Sequence, residues 1–292
     1  MAAPTVVETP CKVNLHLGVH AQKDERGYHR VDSLMAPIAL FDTIVVEDAP
    51  ELRVRFSPAL SVPVEKSGVW RAAARLAEAL GEQPRVCVSV TRRVPGSAGL
   101  GSSSTDAGAT LRALAIRWGV SPLDPRVVEV ARGIGADVPF FLDPRAALYG
   151  GAGDVLERTL PCPEIPAVLV MPLAEGGSTP EAYAEFDRAP AAPDDPAQMV
   201  GALLAGDVRG VETSLANNLA PAARALCPEA GEVEAWLRSQ PGVLAAQVTG
   251  SGTCSFALCE SVAAADAIAA AAVSRGWRSW STKVLGSSTE VC

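Results

Sequence analysis

The chain has 292 residues, 48% hydrophobic and 20% charged, with a formal net charge of −8. That length accommodates one large domain or two moderate ones, and the composition is that of a globular protein with ample core. The acidic balance argues against a nucleic-acid partner, whose phosphates it repels, but not against a single nucleotide held by local donors. Seven cysteines at 11, 87, 162, 227, 254, 259 and 292, with no C-x-x-C pair, fit reduced thiols better than a disulfide framework or a zinc site. The N-terminus lacks a basic, apolar leader, and the apolar stretch 262–273 is too short to span a bilayer. A cytoplasmic location, away from membranes, is expected.

Residues 11–20 alternate as a strand, with Val13, Leu15, Leu17 and Val19 on one face and Lys12, Asn14, His16, Gly18 and His20 on the other. Taken alone, Lys12 and Asn14 read as a solvated strand face. His16 and His20 would lie about 13 Å apart along such a strand. No acid or thiol nearby completes a metal site for them. A polar turn at 24–28 precedes His29, and strands are predicted over 33–40, 43–47 and 52–56. A helix follows over 68–80, with Val69, Ala72, Ala73, Leu76 and Leu80 on one face.

A strand at 85–90 leads into Pro95-Gly96-Ser97-Ala98-Gly99-Leu100-Gly101-Ser102-Ser103-Ser104-Thr105, after which Ala107, Leu111, Leu114, Ala115 and Trp118 recur at helical spacing. A helix N-terminus carries unpaired N–H groups and partial positive charge, and three serines there add donors for an anion. No lysine follows Gly101, so the loop is not a Walker A motif, and Ser104 stands where a dinucleotide fingerprint needs its third glycine. Two readings of the loop alone stay open: a phosphate cradle, or an ordinary glycine turn with a serine N-cap.

Further on, a helix is predicted over 126–134, stopped by Gly133 and Gly135. Asp137 then sits before the apolar run Val138-Pro139-Phe140-Phe141, read as a strand. A carboxylate so placed is partly buried and needs a partner or a chemical task. The second half reads as a buried strand at 167–171, a helix at 179–186 with Ser178 or Thr179 as cap and Pro180 in its first turn, and a proline-rich surface loop at 189–196. Helices at 197–205, 215–226, 229–239 and 263–275 and strands at 254–259 and 279–285 complete the chain. Gly250-Ser251-Gly252 reads by itself as a hairpin turn. Paired with the first loop, it becomes a candidate backing for a phosphate.

Three separated stretches resemble, in order, the GHMP kinases: Lys12-x-Asn14-Leu15 with Gly27-Tyr28-His29, the loop at 95–104, and Gly250-Ser251-Gly252. Together with Gly27-Tyr28-His29, the runs at 135–141 and 178–181 resemble the branch whose acceptor is a cytidine diphosphate-linked methylerythritol of non-mevalonate isoprenoid synthesis. The resemblance implies an α+β fold of two lobes. The first, residues 1–160, would be ribosomal-protein-S5-like and carry the phosphate loop; the second, residues 161–292, would be ferredoxin-like. It further implies ATP in the loop formed by residues 95–105, Mg2+ with Ser103 as a candidate ligand, and Asp137 as the base that accepts the acceptor's hydroxyl proton. Lys12 would pair with Asp137 and steady the developing charge. Asn14 and the Gly250–Gly252 segment would line the acceptor side, Tyr28 and His29 would hold the cytosine, and Thr179 would lie near the diphosphate. Ser97, Ala98, Ser102 and Ser103 stand where this branch usually carries glycine, which narrows the backbone choice at any position needing positive φ. The competing readings are a GHMP kinase for homoserine or mevalonate, in which the aromatic pair would be idle, and a silent nucleotide-binding paralogue, against which the retained Lys12 and Asp137 speak.

Overall fold

The computed structural model of the chain describes residues 3–287. A long antiparallel hairpin, β1 (Thr5–Lys23) and β2 (His29–Asp48), forms the spine of the molecule. Its turn is closed by the Asp24 carboxylate, which accepts the N–H groups of Arg26 and Tyr28 at 2.9 Å each, and by Gly27 at φ +83°. The predicted strands at 33–40 and 43–47 are one strand, not two. A register shift puts Ile38 opposite Cys11 but Phe41 opposite Pro10, so extra residues bulge and the strand bends instead of ending. The bend aims Asp42 at the segment that enters the glycine loop.

β3 (Arg53–Ser57) and β4 (Val86–Thr91) extend this sheet, with α1 (Gly68–Leu80) between them. Ser67 Oγ accepts the Trp70 N–H to start α1, and Gly81 at φ +71° ends it. α2 (Ser102–Arg117) and α3 (Pro125–Arg132) pack with α1 over a core of Val7, Ile44, Val46, Val88, Leu76 and Leu111. Residues 138–141, read as a strand, lie in a 3-10 turn over Val138–Leu142 instead. Pro139 has no N–H to give a ladder, and Phe140 and Phe141 bury fully beneath α2. β5 (Ala147–Gly150) and β6 (Val155–Thr159) finish this half; β6 is exposed throughout, so it shows no alternation to read.

β7 (Ile165–Met171) opens the second half. α4 (Thr179–Phe186), α5 (Ala197–Ala205) and α6 (Val208–Thr213) precede a short β8 (Ala216–Asn217), then come α7 (Ala220–Leu226), α8 (Pro228–Arg238), β9 (Val243–Val248), β10 (Ser255–Cys259), α9 (Val262–Ser274) and β11 (Arg278–Val284). The predicted helix at 215–226 is broken at its start. Asn217 caps Leu219 N, and Asn218 exchanges hydrogen bonds with β1 at Leu17 and Val19. The four strands run antiparallel in the order β11-β7-β10-β9, the ferredoxin-like order, with α8 and α9 on one face over Val168, Val170, Val233 and Ile268. Val284 pairs with Ile38, which joins this sheet to the first. A third core of Val13, Leu15, Leu34, Leu169, Phe256 and Leu203 fills the space between the halves. Among the described residues no helix is long and apolar enough to cross a membrane.

Candidate active site

Most of the residues singled out from the sequence converge on one cleft of about 860 Å³, in the upper range for ligand sites. Lys12, buried at 3% exposure, points off β1; its Nζ donates to Asn14 Oδ1 at 2.6 Å and lies 3.5 Å from Asp137 Oδ2. A buried ammonium is tolerable only when paired and hydrogen-bonded, and these two oxygens meet that need. Asn14 is held in turn by Ser33 Oγ at 3.0 Å, Thr249 Oγ1 at 3.1 Å and Gln247 Nε2 at 2.8 Å. The Asp137 side chain keeps 35% exposure and so opens on the cleft.

The glycine loop and α2 face this pair. Gly99 and Gly101 both take φ +76°, and Gly101 is the N-cap of α2 with no side-chain cap bond, so the first-turn N–H groups are left for another partner. Ser97 adopts φ +54°, the one non-glycine residue with positive φ among those described. Gly250-Ser251-Gly252, besides connecting β9 to β10, is pressed against this loop. A Cβ on Gly252 would lie 2.2 Å from Ala98 C and Gly99 N, and a Cβ on Gly99 would lie 2.0 Å from Thr249 O. Only glycine allows the two backbones to approach this closely.

Gly96, Ser97, Ala98, Gly99, Gly101, Ser102, Ser103 and Ser104 line the cleft. Pro95, Leu100 and Thr105 do not, which corrects the expectation that the whole run faces a phosphate. Pro95 is buried; Leu100 packs into the core between the halves while its carbonyl takes the Lys12 N–H; Thr105 is fully buried with its hydroxyl donated back to Gly101 O at 3.0 Å. The Ser102 hydroxyl is also engaged, by Arg92 Nη2 at 3.1 Å and Val94 O at 3.3 Å. Ser103 is exposed to the cleft.

At the other end, Tyr28 stands 57% exposed at the hairpin tip, with the Arg26 guanidinium 5.3 Å from its ring centroid. Arg26 and Arg132 both reach the buried carboxylate of Asp154, at 3.4 and 3.1 Å, which ties the turn to α3. His29 is buried at 5%; its Nδ1–H donates to His20 O at 2.7 Å, leaving Nε2 turned to Asp187 Oδ1 at 3.2 Å. Its ring stacks on Tyr183 at 5.4 Å and meets Phe186 edge-on. Lys23 pairs with Asp187 at 2.6 Å and holds that carboxyl below its usual range. Thr179 Oγ1 is 3.0 Å from Ser251 Oγ, and the Ser178–Glu181 capping box starts α4 beneath it.

Sequence reasoning missed Tyr183, whose hydroxyl burial pushes well above its ordinary pKa and which lies one helical turn beyond Thr179 on the same face. It missed Arg92, hidden among ordinary charged strand-end residues, and Asn217, whose amide holds Val248 O and Gly250 O at 2.9 Å each.

A Lys–Asp pair opposite a glycine-lined helix N-terminus, in a cleft with an aromatic far end, is the layout of a small-molecule kinase. The family model for the GHMP kinases N terminal domain matches residues 67–151, and that for GHMP kinases C terminal matches residues 199–278. A 4-diphosphocytidyl-2-C-methyl-D-erythritol kinase of Nocardia farcinica is 36% identical over 301 residues, covering 97% of this chain and 95% of the relative. A crystal structure of 4-(cytidine 5'-diphospho)-2C-methyl-D-erythritol kinase superposes with TM-score 0.79 at 34% identity, covering 96% of this chain and all of that one. The chain belongs to the 4-diphosphocytidyl-2-C-methyl-D-erythritol kinase family of the GHMP kinases. The mevalonate kinase of L. major, at 18% identity and TM-score 0.72 over 99% of this chain, shares the fold alone.

Proposed function

We propose that the chain transfers the γ-phosphoryl group of ATP to the 2-hydroxyl of 4-diphosphocytidyl-2-C-methyl-D-erythritol. The observation that carries this reading is the Lys12–Asp137 pair at 3.5 Å, set in one cleft with the α2 N-terminus and with Tyr28, His29 and Tyr183. The lobes divide at residues 160 and 161, between β6 and β7, so the first lobe supplies the acid–base pair and phosphate loop and the second supplies the Gly250–Gly252 buttress and α4.

Phosphoryl transfer asks the protein for alignment, charge neutralisation and a proton acceptor. ATP phosphates rest on the loop lined by Gly96–Gly99 and Gly101–Ser104. The acceptor oxygen attacks Pγ, the bond from Pγ to the β–γ bridging oxygen breaks, ADP leaves, and the hydroxyl proton passes to the Asp137 carboxylate. Lys12 stands beside that carboxylate and steadies charge on the transferred group. The cytosine lies between the hairpin tip and α4, near Tyr28, His29 and Tyr183, and Thr179 and Ser251 flank the diphosphate.

Among the described residues no group of three or more His, Cys, Asp or Glu forms a metal cage. That fits magnesium, which binds through one or two protein oxygens and otherwise through substrate phosphates and water. Ser103, exposed to the cleft, would hold it, and when bound it would neutralise triphosphate charge. Among the described residues the six cysteines are unpaired and buried, which supports a reducing, cytoplasmic setting. The test is ADP release with the cytidylyl acceptor beside homoserine and mevalonate. Turnover with the first alone is expected; preference for either small alcohol refutes the assignment.

A further inference from the structure

Beneath the phosphate loop lies a buried cluster that the acid–base step does not use. Asp42, fully buried on β2 just past its bulge, accepts the N–H groups of Arg93 and Val94 at 2.5 and 2.9 Å, the residues that lead into the loop. Asp106, 3% exposed on α2 one turn after Ser102, is buried close enough to Asp42 that each carboxyl acts on the ionisation of the other. Arg92 places Nε 3.5 Å from Asp106 Oδ2, gives Nη2 to Ser102 Oγ, and lines the cleft. The three residues thus tie together the strand before the loop, the loop's entry and the first turn of α2.

Two carboxylates in contact do not both ionise inside a protein; one keeps a proton and donates it to the other. Asp42 Oδ2 and Asp106 Oδ1 are both buried without a hydrogen-bond partner. A proton on Asp106 directed at Asp42 gives both a partner. Burial, reinforced by the Asp42 charge, pushes Asp106 up to about 8, with Arg92 acting the other way. Around the pair, β1 contributes Cys11, whose thiol burial raises, and Thr9 opposite Asp42 in register. On α2 the hydroxyls of Ser102 and Thr110 are spent on Val94 O and Asp106 O.

We propose that Asp42, Asp106 and Arg92 are positioning residues for the nucleotide, a bracket closed by one shared proton that holds the phosphate loop against the α2 N-terminus. The proposal rests on the reading of that loop as the ATP phosphate site. Loss of the proton sets two anions against each other, loosens the grip of Asp42 on Arg93 and Val94, and turns the first-turn N–H groups of α2 away from the phosphates. ATP affinity therefore falls on the alkaline side while the acceptor site is untouched.

The test is ATP–magnesium titration of the full chain without acceptor from pH 6.5 to 9.5, with KM and kcat for both substrates, on wild type, Asp106→Asn and Asp106→Ala. Wild-type affinity is expected to fall about tenfold between pH 7 and 9, following ionisation near 8. Asp106→Asn, whose amide keeps a donor toward Asp42, binds ATP with little change over that interval and more tightly than Asp106→Ala. Asp106→Ala raises the KM for ATP several-fold more than that for the acceptor. An alkaline fall in Asp106→Asn equal to that of wild type, or a wild-type KM for ATP in Asp106→Ala, overturns the proposal. Wild-type protein that fails to bind ATP at pH 7 overturns instead the phosphate-site reading beneath it.

Discussion

Gly252→Ala isolates the contact between the two glycine segments, because Gly252 has no positive φ and the substitution adds only a methyl group. The new Cβ would meet Ala98 C and Gly99 N at 2.2 Å and Ala98 O at 2.5 Å, all backbone atoms with no flexible side chain to yield. Reaching ordinary contact requires the phosphate loop to move by about 1 Å, at a cost of roughly 1–3 kcal/mol as for other overpacked sites. For a chain of this size that is a melting shift of a few degrees. The larger effect falls on the nucleotide, since a 1 Å displacement of a reacting group costs up to about 10²-fold in rate. Steady-state ADP release with varied ATP should show kcat/KM for ATP reduced at least tenfold, with the KM for the acceptor changed much less. A variant within twofold of wild type for ATP, melting at the same temperature, would refute the claim that the Gly250–Gly252 segment buttresses the loop.

Asp137→Asn keeps shape but removes the proton acceptor, so kcat should drop by about 10²-fold or more with substrate binding largely kept; near-normal turnover removes Asp137 from the mechanism. Tyr28→Ala should raise the KM of the cytidylyl substrate well above any change for ATP, and equal losses for both would sink the cytosine assignment. Ser97→Gly relieves a left-handed backbone worth about 1–2 kcal/mol. Added freedom in the unfolded chain offsets about 0.5–1 kcal/mol of that. A net gain of about 0.5–1 kcal/mol, or one to two degrees in a melting scan, is expected, and a lower melting temperature contradicts the strain at Ser97.

What the sequence made legible was periodicity and punctuation. α1 and α4 fall on their predicted bounds because Ser67, Gly81, Ser178 and Pro180 mark the ends chemically. Lys12 and Asn14 were readable as an odd polar pair on a strand, but their inward orientation follows from pairing with Asp137, which is 125 residues away in the chain. The run at 138–141 was apolar enough for a strand; Pro139 and packing under α2 decided otherwise. β6 was invisible because neither of its faces is buried. The loop's boundaries were overdrawn for a similar reason: a motif gives the order of its residues, whereas Leu100 and Thr105 turn inward through tertiary packing that spacing does not encode. Tyr183 and the Asp42–Asp106 contact depend on elements far apart in the chain, and no local pattern announces them.

The central claim is that this cleft moves a phosphoryl group onto one hydroxyl of one acceptor. Phosphorus NMR of the product formed from ATP and 4-diphosphocytidyl-2-C-methyl-D-erythritol tests it most directly. The account predicts a new phosphomonoester on the 2-hydroxyl with the cytidine diphosphate linkage intact and one ADP formed per product. ADP without a phosphorylated cytidylyl product, or phosphate on a different hydroxyl, would contradict it.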